Sequence, residues 1–308
     1  MSDMALVQSR LTAAEAQAIE IVLDSLPSEH SRRAYERALV DFFRWHASAG
    51  RPALNKALVQ RYAAELRDTS LSSSSVNQRL SAIRKLAAEA ADNGALDPQI
   101  AIGIRAVKGA RQEGRRTGNW LTREQAQMWL NAPDSRTMKG LRDRTLLAVL
   151  IGCGLRRTEA ADLAFEHVQQ RDGRWVLVDI IGKRDKIRSV PTPNWTKAAI
   201  DTWCKAAGVT EGLIFRAVNK GDRVIGNGIT PQAIYNIIVG YAEELKNKGV
   251  APHDLRRTFA KLAHKGGSAI DQIQLSLGHE SIQTTEDYLG VEQDLTDAPC
   301  DHLGLRLG

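Results

Sequence analysis

Apolar residues recur at helical spacing through the first hundred positions of the chain. Between positions 31 and 50 they follow the spacing of one helix face; the residues are Tyr35, Leu39, Phe42, Phe43 and Trp45. A second helix is predicted over about 55–67. A third begins in the serine run 70–75, and Asn93-Gly94 ends its apolar stripe. The N-terminal part of the chain is therefore predicted to be helical.

The face opposite the third apolar stripe is polar and basic. It carries Asn77, Arg79, Arg84 and Lys85, which are residue types that contact DNA. Amphipathic helices also expose such a face to solvent alone, and for an isolated pattern that interpretation is the commoner one. The four residues are predicted as DNA contacts only in combination with the rest of the chain.

Helical periodicity stops between positions 105 and 118, where the chain reads RAVKGARQEGRRTG. Five basic residues in this segment, Arg115 and Arg116 among them, stand against one acidic residue. A basic linker keeps a connection soluble, and it can also follow a phosphate backbone; the segment alone favours neither role. We predict a helical DNA-binding domain over 1–108, an interdomain linker over 109–119, a catalytic domain over 120–290 and a C-terminal tail over 291–308.

The second domain combines helices with one hairpin. Thr122 and Gln125 form a capping-box pattern that starts a helix, and another helix is predicted over 141–151. Two stretches rich in β-branched residues, 174–181 and 187–191, flank a turn and indicate an antiparallel hairpin. Further helices are predicted over 193–207, 230–248, 254–265, 268–277 and 281–289. The predicted fold class is mainly α with a small antiparallel β-sheet.

Composition narrows the class of protein. With 308 residues, 43% of them hydrophobic, the chain is globular and long enough for two domains. Its net charge of +6 favours a polyanionic partner. Three widely spaced cysteines lack metal-binding spacing, so we expect reduced thiols and no metal. The longest apolar run, 146–155, is about half of the roughly 20 residues that span a bilayer. No membrane association and a cytoplasmic location are expected, since the N-terminus carries no export pattern.

A set of residues in the second domain suits phosphoryl transfer to a tyrosine. A phenol is a poor nucleophile near neutral pH, so its attack on a phosphodiester needs cations on the phosphate and an acid for the leaving oxygen. Arg156 and Arg256 are the predicted phosphate-binding cations because a guanidinium donates two hydrogen bonds and stays charged. Lys183, in the hairpin turn, is the predicted general acid, and Lys186 is the alternative. Tyr288 is the predicted nucleophile.

Two histidines complete the predicted site. His253 precedes Arg256 by three positions, so on a helix the two side chains share one face. His279 follows Gly278, which fits the left-handed residue that ends a helix. The imidazole of His279 is therefore expected just beyond a helix end.

Each of these residues alone has a simpler structural explanation. An isolated Arg156 is more often an ion-pair partner, here of Glu159 or Asp162. The two histidines are explained as a helix cap and a loop residue, and Tyr288 as a core aromatic with its hydroxyl at the surface. The order and spacing of the whole set favour a catalytic site.

With these motifs the chain resembles the tyrosine recombinases, or phage integrase family, which includes the Xer-type and integron enzymes. The matching segments are GCGLRRTEAADL, GKRDKIRSVP, HDLRRTFA and LGHESIQTTEDY. The resemblance extends over about 121–290, and the upstream helices are similar to the family's SAM-like core-binding domain. Two departures are Arg184 in place of the usual glycine and Thr158 in place of the common serine.

The resemblance implies a site-specific DNA recombinase that uses no metal, nucleotide or other cofactor. Tyr288 would form a 3′-phosphotyrosine, and strands would be exchanged through a Holliday junction. The implied partners are double-stranded DNA with paired recombination half-sites, clamped between the two domains, and a homotetramer whose 291–308 tails pack on neighbouring protomers. No residue pattern names an accessory protein. The alternatives are a type IB topoisomerase, which rejoins the strand that it cut, and a DNA-binding regulator with an idle site.

Overall fold

The computed structural model describes residues 11–111, 119–182 and 185–290, except the side chains of His30, Asp287 and Tyr288. Contacts divide the chain into two compact units, Met1–Arg116 and Thr117–Gly308. The predicted fold class, mainly α with small antiparallel sheets, is confirmed. Among the described residues no helix is long and apolar enough to cross a membrane. The predicted domain bounds stay a prediction.

The first unit is built from helices whose starts are set by polar side chains. The described helices are α1 (Ala13–Asp24), α2 (Glu29–Ser48), α3 (Lys56–Arg67), α4 (Ser73–Asp92) and α5 (Pro98–Arg105). Ser28, Asn55 and Ser72 each accept a backbone N–H in the first turn of the helix that follows. The three predicted helices are present, whereas α1 and α5 had not been predicted.

The core of the first unit lies where the apolar faces of these helices meet. Phe42 of α2 and Leu80 and Ile83 of α4 have no exposed surface. The Phe42 ring meets the ring of Tyr62 edge to face, with centroids 5.2 Å apart. Burial raises the pKa of Tyr62 to about 12. This core holds α2, α3 and α4 together.

The second unit surrounds one buried helix. Its described helices are α6 (Arg123–Asn131), α7 (Met138–Gly152), α8 (Arg157–Ala161), α9 (Asn194–Ala207), α10 (Pro231–Glu244), α11 (Pro252–Lys265), α12 (Ile270–Leu277) and α13 (Ile282–Leu289). Helix α7 packs against α6, α9 and α11, and every residue from 145 to 152 is buried. The capping box of Thr122 and Gln125 at the start of α6 is confirmed. Helix α10 ends earlier than predicted, and Lys246 beyond it has a left-handed φ of 56°.

The predicted hairpin supplies two strands of an antiparallel three-stranded sheet with the order β1-β2-β3. The strands are β1 (Val168–Arg171), β2 (Arg174–Ile181) and β3 (Ile187–Pro191). Leu177 and Val190 are cross-strand partners with no exposed surface, so this face of the sheet joins the core. A further pair, β4 (Ala217–Val218) and β5 (Val224–Ile225), and strand β1 had not been predicted.

Candidate active site

A tight turn after α7 positions the first predicted arginine. Gly154 has a φ of +62°, a conformation that side-chain-bearing residues rarely adopt. A Cβ on Gly154 would lie 2.7 Å from the ring of Phe259 in α11, so the backbone passes closely against that helix. The turn leads to Arg156 at the start of α8, in the wall of a cavity that is also lined by His253 and Arg256.

Glu159 is the centre of the buried charge at this site, and it is 4% exposed. Its Oε1 accepts hydrogen bonds from Nη1 of Arg156 at 2.6 Å and Nη1 of Arg188 at 2.9 Å. Its Oε2 accepts from Nη2 of Arg188 at 2.8 Å and lies 3.9 Å from Nη1 of Arg256. Three guanidiniums share one carboxylate, so the cluster carries net positive charge.

The ionisation of Glu159 is secured by these contacts. Burial opposes ionisation, but the hydrogen bonds and charge of Arg188, followed by those of Arg156, outweigh it and lower the pKa of Glu159 to about 2. The backbone N–H of Arg156 also donates to Oε2 at 2.7 Å. Arg156 is therefore both an ion-pair partner of Glu159 and a residue of the cavity wall. The ion pair and the place in a site were alternatives in the sequence, and Arg156 has both.

Arg256 ties three chain segments together and is 1% exposed. From α11 its Nη1 donates to the carbonyl of Gly154 at 2.6 Å, and its Nη2 donates to the carbonyl of Leu277 at the end of α12. Carbonyl oxygens fix the guanidinium without cancelling its charge. Arg256 therefore presents a fixed cation to the cavity.

The two histidines are held mainly in their neutral forms near pH 7. His253, in the first turn of α11, has its pKa lowered by partial desolvation and then by the charges of Arg257 and Arg256. Burial, followed by the charges of Arg256 and Arg156, lowers the pKa of His279 to about 4. A neutral imidazole has one nitrogen that donates a hydrogen bond and one that accepts.

His279 lies just beyond α12, as predicted, and Gly278 ends that helix with a φ of 63°. Its Nδ1 is 3.0 Å from Oγ1 of Thr285, a residue of α13 with no exposed surface. Thr285 therefore fixes the orientation of the imidazole ring and links the His279 turn to the helix that contains Tyr288.

The hairpin turn reaches the same site. Lys183 itself lies outside the described residues, but a Cβ on Gly182 would be 3.5 Å from Nη1 of Arg156. Lys186 is 58% exposed, and its Nζ lies 3.4 Å from Oε1 of Glu280. The backbone that precedes Lys183 is thus in contact distance of the first arginine.

Tyr288 belongs to α13, one position before its end, and its side chain lies outside the described residues. The neighbouring Leu289 is 3% exposed and packs with Ile273 and Leu277 of α12. This small apolar cluster anchors the helix that contains the predicted nucleophile.

Two predicted DNA contacts of the first unit hold the segment that follows α5. The Asn77 side chain donates to the carbonyl of Ala110 at 3.0 Å and accepts from its N–H at 2.8 Å. Nη2 of Arg84 donates to the carbonyl of Val107 at 2.5 Å. These side chains fix a segment of backbone, and DNA binding by them stays a prediction.

The two other predicted contacts on α4 form ion pairs within the unit. Nη2 of Arg79 lies 3.0 Å from Oδ2 of Asp41, and Nζ of Lys85 lies 2.6 Å from Oε1 of Glu89. Pairing with a carboxylate reduces the charge that each offers to DNA. Arg115 and Arg116 lie outside the described residues, so their DNA contacts also stay a prediction.

Sequence reasoning missed Arg188 and Thr285, and it considered Glu159 only as an ion-pair partner of Arg156. Arg188 of β3 is 9% exposed in its side chain, and its Nε donates to the carbonyl of Ser276 at 2.8 Å. It lies two positions before Val190, so both side chains point to the buried face of the strand. The sequence signal for a buried role of Arg188 was a basic residue at a strand position where the alternation predicts an apolar one.

Comparisons with known proteins agree for both units. The model described as "Phage integrase family" matches residues 119–294, and that described as "Phage integrase, N-terminal SAM-like domain" matches residues 21–94. A tyrosine recombinase of Synechococcus elongatus is 28% identical, over 99% of this chain and 99% of its own. Tyrosine recombinase XerC of Pelobacter propionicus is 30% identical, over 87% of this chain and 86% of its own.

The fold is similar to that of the XerH site-specific recombinase in a crystal structure of its post-cleavage complex with palindromic difH substrate. The TM-score is 0.66 at 18% sequence identity, and the match covers 86% of this chain and 77% of XerH.

Proposed function

This chain belongs to the phage integrase family of tyrosine recombinases, and we propose that it cuts and rejoins specific DNA sites through a covalent bond to Tyr288. The observation that carries the proposal is the convergence of Arg156, Arg256 and His253 on one cavity of about 340 Å³. Two guanidiniums and a neutral imidazole match the charge and hydrogen-bonding capacity of one phosphodiester.

Arg188 neutralises much of the Glu159 charge, so Arg156 and Arg256 keep positive charge that can bind DNA. It binds both oxygens of Glu159, so the carboxylate is compensated without the full charge of Arg156 or Arg256. A phosphate entering the cavity therefore meets net positive charge in a partly water-excluded site, where electrostatic interactions are stronger than in bulk water.

The first chemical step exchanges one phosphoester bond for another. The phenolic oxygen of Tyr288 bonds to phosphorus while the bond to the 5′-oxygen breaks. The neutral imidazole of His253 accepts the phenolic proton, and Lys183, or Lys186 as the alternative, protonates the departing 5′-oxygen. The products are a 3′-phosphotyrosine and a free 5′-hydroxyl.

His279 contributes a hydrogen bond to the phosphate. If the Thr285 hydroxyl donates to Nδ1, the neutral ring carries its proton on Nε2 and donates it to a non-bridging oxygen. The low pKa of His279 suits this role because a neutral donor adds no charge that must be desolvated between two arginines.

The second step reverses the first with a 5′-hydroxyl from a partner duplex. Strand exchange then proceeds through a Holliday junction in a homotetramer on paired half-sites, with protomers linked by their 291–308 tails. These steps use no metal or nucleotide, since side chains supply the charge stabilisation and both proton transfers. We place the reaction in the cytoplasm, where duplex DNA and reduced thiols coexist.

The proposal is tested by trapping the covalent intermediate. Full-length protein is incubated with nicked duplexes selected from a random pool, and the bound peptide is mapped by mass spectrometry. We expect a phosphotyrosine at Tyr288, its loss in Tyr288→Phe with DNA binding retained, and no change in the control Tyr35→Phe. A covalent complex formed by Tyr288→Phe, or none formed by the unaltered chain on any selected duplex, would sink the proposal.

A second assay separates recombination from simple relaxation of DNA. A supercoiled plasmid with one selected site and a plasmid without any site are treated in parallel. We expect products joined between two sites and no relaxation of the plasmid that lacks a site. Relaxation of both plasmids without strand exchange would instead indicate activity of the type IB topoisomerase kind.

A further inference from the structure

The cavity has a second cationic group beside the phosphate-binding arginines. Arg157 follows Arg156 in the chain, begins α8 and is partly buried. Its guanidinium carbon lies 5.6 Å from the centroid of the Tyr235 ring of α10. Both Arg157 and Tyr235 line the same cavity as Arg156 and Arg256. None of the chemistry proposed above uses this pair.

Arg157 differs from its neighbours in the way that its charge is compensated. Arg156 and Arg188 both contact Glu159, and Nη1 of Arg257 lies 3.7 Å from Oδ1 of Asp254. Within the described ranges 11–111, 119–182 and 185–290, no carboxylate forms an ion pair with Arg157. An aromatic face attracts and orients a guanidinium while leaving its charge in place. Arg157 is therefore a fixed cation in the cavity wall that still attracts anions.

We propose that Arg157 and Tyr235 form a second anion site, which binds the DNA phosphate next to the one that is cut. This inference rests on the proposed function of the adjoining cavity. Consecutive Cα atoms are about 3.8 Å apart, and the two side chains diverge, that of Arg156 towards Glu159 and that of Arg157 towards α10. Two cations spread in this way along one wall fit successive phosphates of a single strand.

Such a contact would position the strand without touching the reacting atoms. Tyr235 is 36% exposed, so its ring is a solvent-facing platform that holds the guanidinium at a set distance from the first phosphate site. A strand held at two neighbouring phosphates presents the scissile bond in one register to Tyr288. Arg157 is accordingly a positioning residue, and its loss weakens DNA binding more than it slows cleavage of DNA already bound.

Salt dependence of binding tests the phosphate contact directly. Binding of duplex DNA is measured against salt concentration in the Tyr288→Phe background, so that no cleavage interferes. Each phosphate contact adds about 0.9 to the slope of log affinity against log salt. We expect Arg157→Ala to reduce the slope by about 0.9 and Arg157→Lys, which keeps the charge, to restore most of it. Tyr235→Leu should weaken binding about two- to fivefold through loss of the ring.

The matched control removes the same charge elsewhere on the second unit. Arg136 is 88% exposed, and its Nε lies 2.9 Å from Oδ1 of Asp134. Arg136→Ala lowers the net charge of the chain by the same amount as Arg157→Ala, and we expect it to leave the salt slope unchanged. If both variants give the same slope, Arg157 makes no phosphate contact and the inference is wrong.

A covalent assay distinguishes failure of this inference from failure of the proposed function. At saturating protein, with Tyr288 intact, Arg157→Ala should cleave selected nicked duplexes nearly as fast as the unaltered chain, whereas Arg156→Ala should not. If Arg157→Ala is as inactive as Arg156→Ala at saturation, Arg157 acts in the chemical step and the positioning role is excluded. If the unaltered chain forms no Tyr288 adduct, the proposed function fails while the salt slope still decides the phosphate contact.

Discussion

Both units of this chain have an apolar core, but the second unit also buries the charged residues of its candidate site. In the first unit Phe42 and Leu80 have no exposed surface and lie among other apolar groups. In the second unit Glu159 and Arg256 are 4% and 1% exposed. Apolar contacts contribute separately, roughly in proportion to buried area, whereas each buried charge depends on its partners. The second unit therefore adds to its apolar core a charged cluster whose few contacts depend on one another.

The largest expected effect is the loss of the carboxylate that these contacts share. Glu159→Gln keeps the shape of the side chain but leaves three guanidiniums without their counter-charge. Removing one partner of a buried ion pair costs about 3–5 kcal/mol. We expect denaturant unfolding to show that loss, with hydrogen exchange rising in α8 and α11 and not in α2 or α4.

A double variant tests whether the charged contacts are coupled. Arg188→Met removes the cation that binds both oxygens of Glu159. Combined with Glu159→Gln it takes away a charge pair, so the loss of stability should be smaller than the sum of the two single losses, by about 0.5–3 kcal/mol. Strictly additive losses would show that the charged cluster behaves like an apolar core, and the contrast between the units would fail.

The corresponding test in the first unit is a substitution that creates a cavity in its apolar core. Leu80→Ala removes buried methyl groups, which costs about 2–5 kcal/mol. Because the apolar core lies in a separate unit, we expect the rate of covalent cleavage at saturating protein to be unchanged. The control Leu275→Ala, at a side chain 63% exposed, should alter stability by no more than about 0.5 kcal/mol. A slower chemical step in folded Leu80→Ala would contradict the independence of the two cores.

A smaller effect is expected in the second unit, where His279 makes stability depend on pH. The pKa of His279 falls from an ordinary 6.5 to about 4 on folding, so between these values the unfolded chain binds more protons. Stability then rises with pH through this window, by at most about 1.4 kcal/mol per pH unit. The difference in unfolding free energy between the unaltered chain and His279→Asn should lose its slope above pH 6.5. A constant difference from pH 4 to 7 would contradict the lowered pKa.

The same contrast explains what the sequence could predict. The hairpin and helices α2, α3 and α4 follow from local patterns, since β-branched runs and the spacing of Phe42, Leu80 and Ile83 act over a few residues. The identities of Arg156, His253, Arg256 and His279 follow from short motifs. The convergence of Arg156, His253 and Arg256 on one cavity is visible only in the folded structure.

The contact between Arg188 and Glu159 and the partners of Arg256 were not predictable because they depend on long-range pairing. Arg188 and Glu159 are 29 positions apart, and Arg256 reaches Gly154 across 102 positions. No local period links such residues. The same holds for Arg84, which looks like a free basic residue on an exposed face until Val107 is placed beside it.

The smallest expected effect concerns the helix that contains Tyr288. Nζ of Lys261 donates to the carbonyl of Leu289 at the end of α13, and this cation lies 5.3 Å from the Trp120 ring, while Lys265 lies 4.8 Å from the same ring. A lysine at a helix C-terminus contributes about 0.3–1 kcal/mol. Lys261→Met should therefore destabilise the chain slightly yet slow adduct formation several-fold, because the helix end is released. Lys265→Met loses only the ring contact and should leave that rate unchanged. Equal rates for both variants would show that the hydrogen bond to Leu289 does not position Tyr288, the proposed nucleophile.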